Sequence, residues 1–137
     1  MAITDKSILK FIIFWKWINI IPIIGGIIIF PLSLIKRKFI LADVWLSRIS
    51  FDIPFSVMII ITLIGFLLSI LIVYGIFKKK KIGLYSSYIL IAFVSIMYLI
   101  YLINSRSTFE FMVYLVGIII HLTIGYFLYK GKNYFTS

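Results

Sequence analysis

Four stretches of this chain contain no Asp, Glu, Lys or Arg: residues 17–35, 54–77, 82–105 and 111–129. They run for 19 to 24 residues each. At about 1.5 Å rise per helical residue they reach roughly 28–36 Å, against about 30 Å for the hydrocarbon of a bilayer. A protein of 137 residues, 64% of them hydrophobic and only 13% charged, cannot hide that much Ile, Leu and Phe in one water-surrounded core. Lipid gives backbone N–H and C=O groups no partner, so spanning segments close their hydrogen bonds internally as helices. Spanning strands would alternate over about ten residues, and these runs do not. The expected fold is therefore all-α: a four-helix transmembrane bundle forming one integral membrane domain over residues 1–137.

The charged residues mark the edges. The net charge is +10, but the basic residues sit in short clusters between apolar runs, which places them at membrane surfaces and excludes a nucleic-acid partner. With the N-terminus inside, one face holds Lys6, Lys10, Lys16, Lys78, Lys79, Lys80, Lys81, Lys130 and Lys132, nine in all, and the other holds Lys36, Arg37, Lys38, Arg48 and Arg106, five. The positive-inside bias then puts both termini in the cytoplasm. Trp15, Lys16 and Trp17 are the residue types of an interfacial belt, so they are expected as edge anchors, with the lysine snorkelling to water. Residues 8–14 extend the first helix or lie in the interface. No Ala-x-Ala-like site follows the run, which argues against a cleaved signal peptide.

The connections differ in length. Lys78, Lys79, Lys80 and Lys81 make a turn that forces helices two and three to be antiparallel neighbours, and residues 106–110 do the same for three and four. Residues 36–53 are long enough for structure of their own. Asp43 suits a cap for a short interfacial helix, and Asp52 with Pro54 suits the start of helix two.

Within the spans, the small and polar residues fall in stripes. Thr62, Gly65 and Ser69 share one face of helix two, and Gly117, His121 and Gly125 one face of helix four. Helix three offers Ser87, Ala92 and Ser95, and helix one is interrupted by Pro22, Gly25, Gly26 and Pro31. Small residues let membrane helices approach, since lipid supplies no hydrophobic drive between them. His121 is the sole histidine. An ionisable group inside a membrane is a functional candidate; the competing reading is a neutral imidazole bonded to a hydroxyl such as that of Ser95 or Thr62, serving packing alone.

No catalytic or cofactor motif is present. Cysteine is absent, and the four acids, Asp5, Asp43, Asp52 and Glu110, all fall outside the apolar runs, so no carboxylate pair or ligand cluster is expected in the bilayer. The chain is expected to be neither an enzyme nor a cofactor or metal carrier.

Two places resemble small four-helix membrane proteins of prokaryotes that have no known activity. One is Tyr74-Gly75-Ile76-Phe77 running into the four lysines and Ile82-Gly83; the other is Tyr126-Phe127-Leu128-Tyr129, a basic turn, then Tyr134-Phe135. The resemblance implies the four-helix fold and a prokaryotic cell membrane, and no activity. Small multidrug transporters share this size and helix count but need a membrane-embedded glutamate in helix one, which is missing. The expected role is a non-enzymatic binding or accessory component whose partners are the lipid bilayer and another membrane protein or a homo-oligomer, in the manner of small immunity proteins. The alternative is a small transporter or channel protomer acting as an oligomer with His121 in its path.

Overall fold

The computed structural model describes residues 5–36 and 55–136. Four long helices follow in order: α1 Asp5–Lys36, α2 Phe55–Phe77, α3 Lys81–Ile103 and α4 Thr108–Lys130, with a 3-10 turn at Lys132–Tyr134. Each carries a stretch long and apolar enough to cross a membrane, the first being Lys6–Leu32. The fold is an all-α four-helix bundle. The expected interfacial segment, with Asp43, Asp52 and Pro54, lies outside the described residues.

Helix α1 is longer than the charge-free run, because residues 8–14 continue it downward without a break. It also continues through Pro22 and Pro31. Each proline removes one backbone hydrogen bond, yet unwinding in lipid would orphan several more. The ends of α3 and α4 also shift from expectation. Asn104 Nδ2 and Ser105 Oγ donate to the carbonyls of Ile100 (2.7 Å) and Leu102 (2.8 Å), so side chains take over the ladder and α3 stops at Ile103. Ser107 Oγ accepts from Glu110 N at 3.2 Å while Glu110 Oε2 accepts from Arg106 N at 3.0 Å. This reciprocal cap starts α4 at Thr108, three residues before the charge-free run, and puts Glu110 in its first turn.

The lysine turn closes α2 in a Schellman arrangement. Lys80 N donates to Gly75 O at 2.7 Å and Lys79 N to Ile76 O at 3.3 Å, with Lys79 itself at φ 54°. A lysine occupies the left-handed position that normally favours glycine. Just inside the turn, α2 and α3 cross backbone on backbone. A Cβ added at Gly83 would stand 2.8 Å from Gly75 Cα, and one added at Gly75 would fall on Gly83 N and Cα. No side chain larger than hydrogen fits there.

Neighbours in sequence pack together, α1 on α2, α2 on α3 and α3 on α4, while α1 and α4 meet more sparingly. Their meeting is at the lysine end, where the Phe11 and Phe127 rings lie 4.9 Å apart and Gly131 admits Ile8 and Ile12. The core sits at this end too: Ile8, Ile12 and Trp15 from α1, Ile72 and Ile76 from α2, Leu84 and Ile91 from α3, Leu128 from α4. Inward positions recur at three- and four-residue steps, as in Ile8, Ile12, Trp15 and Asn19. The tail seals it from below. Phe135 is buried, Tyr134 OH donates to Ile76 O at 3.2 Å, and Thr136 N to Lys79 O at 2.8 Å. Among the described residues, none is fully buried in α1 beyond Asn19, in α2 before Ser69, in α3 beyond Ile91 or in α4 before Leu128. The bundle is thus closed at the lysine end and thinly packed toward the other.

Candidate functional site

Two polar layers occupy the bundle. The lower one lies toward the lysine end, where a side chain of α1 reaches α3. Trp15 Nε1 donates to Ser87 Oγ at 3.0 Å, Ser87 Oγ donates to Gly83 O at 2.7 Å, and Asn19 Nδ2 donates to Trp15 O at 2.9 Å. Asn19, Ser69, Ser86 and Ser87 are all buried around it. The Trp15, Ser87 and Asn19 donors each reach an acceptor, so this network holds dipoles without charge. A neutral, satisfied network inside a low-dielectric bundle fixes helix register.

This layer corrects one expectation. Trp15 is only 4% exposed and forms the heart of the interior, whereas Trp17, at 59%, faces outward as an anchor would. Lys16 lies between them, half-buried, with its ammonium 5.3 Å from the Trp17 ring centre. Ser87 stands six residues into α3, about 9 Å above the lysine turn. The Trp15–Ser87 bond therefore places Lys16 well within the candidate span and above its edge. Its side chain leans toward the N-terminus of α1, which is also the lysine end, so the charge can snorkel downward.

The upper layer joins α3 and α4. His121, near the middle of α4, is half-buried, with Nδ1 2.7 Å from Gly117 O of its own helix. Its ring lies 5.5 Å from that of Tyr98, which also covers Gly117 so closely that an added Cβ would be 3.0 Å from Tyr98 Cζ. Tyr114 is flanked by Tyr98 and Tyr101 at 6.2 and 5.5 Å between ring centres. Ser95 is not the partner of the imidazole: its Oγ is buried with no hydrogen-bond partner among the described residues.

The stripes read from the sequence are only partly brought together. Ser69 is buried and continues through Ile72 and Ile76, with Thr62 and Gly65 half-buried above it on the same face. Gly125 approaches Ile91 at ordinary contact distance, and Gly26 lies under the Phe66 ring. Around Gly25 and Gly65 there is open space, so a layer of small residues does not close around His121. Ala92 points outward, and the inward face of α3 runs instead through Leu84, Ser87 and Ile91. Asn19 and Tyr98 carry the two layers without having stood out in the sequence. Asn19 follows Trp15 by four residues, a legible spacing once Ile8 and Ile12 are known to face inward. Among the described residues no three His, Asp or Glu side chains come together to hold a metal ion.

Between α1 and α2 an open-sided cleft of about 420 Å³ runs along the lower half, with Lys16 as its charged lining residue. Elsewhere at the lysine end of the bundle, ammonium groups also lie over aromatic rings, Lys79 over Tyr134 and Lys132 over Tyr129. Comparison with protein-family models, curated proteins and solved structures finds no match.

Proposed function

We propose that the chain is an integral protein of a prokaryotic cell membrane, both termini in the cytoplasm, acting as a non-enzymatic binding or accessory component. The observation that carries this is the uneven bundle. Its lysine end is zipped by buried side chains and a satisfied network, while the half toward Arg106 keeps its apolar faces outward around a buried, unpartnered Ser95 hydroxyl. A membrane helix from a partner, or from a second copy, would find there exposed apolar faces and, at Gly25 and Gly65, open space for close approach. The neutral lower layer argues against a through-path, since transport of ions or protons needs charge handling or water access along its length.

The test has two arms. Reporter fusions at Lys80 and at the C-terminus should both report cytoplasm; an external signal at either one refutes the orientation. A photo-crosslinker at Ile96, an exposed position beside Ser95, should capture a membrane partner or a second copy in native membranes, and one at Tyr85 in the zipped half should not. If His121→Gln, still folded, abolishes a solute or ion flux that the wild type shows in liposomes, the transporter alternative replaces this reading.

A further inference from the structure

We propose that the cleft between α1 and α2 binds an acidic phospholipid, its acyl chain along the cleft and its phosphate at the lysine end. The walls are aliphatic: Ile20 and Ile23 from α1, Ile70 and Val73 from α2. A volume of about 420 Å³ falls within the range of small-molecule pockets, and an open side along the bilayer admits a chain that stays partly in lipid. Three aromatic side chains form the rim toward the lysine turn, and each carries a cation. Lys16 Nζ lies 5.3 Å from the Trp17 ring centre, Lys80 Nζ 5.8 Å from that of Tyr74, and Lys78 Nζ 5.6 Å from that of Phe77. The two aromatic residues of α2 thus bring the turn's lysines to the same mouth that Lys16 enters from α1.

The charge count favours an anion. The sequence has no Asp or Glu between residues 6 and 42 or between residues 53 and 109, so α2 and α3 supply no counter-charge and α1 none beyond Asp5. Lys16, next to the buried Trp15 and inside the candidate span, is costly in hydrocarbon unless its ammonium reaches phosphate or water. A lipid phosphate at the mouth supplies a counter-charge that the three cations share, while its acyl chain, running away from the lysine turn, fills the apolar walls. A second helix would fill the walls and leave the cations unpaired. Basic pockets between membrane helices on the cytoplasmic side recognise acidic head groups by this logic. The inference rests on the membrane assignment, which resistance of the protein to carbonate extraction tests separately.

Native mass spectrometry of the full chain released from detergent, titrated with phosphatidylglycerol or phosphatidylcholine, reads the site directly. The wild type should retain phosphatidylglycerol over phosphatidylcholine. Lys16→Gln should lower that preference about fivefold, the effect of one lysine near an acidic membrane surface, while Lys132→Gln, in the 3-10 turn after α4 and outside the cleft lining, should leave it unchanged. Val73→Trp, which fills the cleft, should reduce retention of both lipids. Equal retention of the two lipids by the wild type overturns the proposal, as does an unchanged preference in folded Lys16→Gln. A dimer that Val73→Trp dissolves and phosphatidylglycerol does not displace would assign the cleft to a second copy instead.

Discussion

Two glycines of α2, ten residues apart, should respond in opposite directions to the same substitution. Gly65 has nothing within 4 Å of where a Cβ would be, whereas Gly75 lies against the backbone of Gly83. Alanine in a helix interior is favoured over glycine by about 0.8–1.0 kcal/mol, so Gly65→Ala should stabilise by up to that amount. Gly75→Ala has the same propensity gain but must separate two backbones. The reciprocal geometry sets the scale: at Gly83 the nearest backbone atoms would have to move from 2.8 Å to the 3.4 Å of ordinary contact, about 0.6 Å, with no side-chain tip to yield. Overpacking of this kind costs about 1–3 kcal/mol, and the rigid partner places it at the upper end. The crossing also holds Ser87 against Trp15, so the gap between the two alanine variants should be about 2–4 kcal/mol. Unfolding in mixed micelles of rising dodecyl sulfate fraction, followed by far-UV circular dichroism, measures it. Adding Gly83→Ala to Gly75→Ala should cost less than the sum of the two, since the helices have already parted. Equal stability of Gly65→Ala and Gly75→Ala would refute the backbone-on-backbone crossing.

The same assay checks three further expectations. Ser87→Ala strands a buried Trp15 N–H at a cost of about 1–3 kcal/mol, and a double-mutant cycle with Trp15→Phe should show coupling of roughly 0.5–1.5 kcal/mol; additivity would deny the bond. Lys79→Gly relieves a left-handed residue that costs about 1–2 kcal/mol, so after its extra unfolded-state entropy is subtracted it should gain roughly 0.5 kcal/mol, with Lys78→Gly showing no gain. Phe135→Ala should cost about 3 kcal/mol by emptying the seal beneath the lysine turn; a silent variant would mean that the tail does not dock.

How much was legible beforehand differs between helix and interface. The span count and the tight turns followed from the residues, because a backbone in lipid has one way to satisfy itself and its length is set by the bilayer. Helix ends moved where side chains, Asn104, Ser105 and Ser107, competed for backbone groups. Trp15 read as an anchor because tryptophan beside lysine has the same composition at a membrane edge and in a core contact. His121 could be placed near the middle of its helix, but its bond to Gly117 and the solitary Ser95 hydroxyl depend on helix rotation, which spacing alone leaves open.

What the amino-acid sequence determined by itself was four apolar spans, helical and long enough to cross a membrane. Only the tertiary structure decided which faces turn inward and which end closes. The physical reason is that these helices are apolar all round, and lipid is as apolar as a protein core, so hydrophobicity cannot choose between them. The choice falls to contacts a few atoms wide: Gly75 on Gly83, Trp15 on Ser87, and Phe135 beneath the lysine turn.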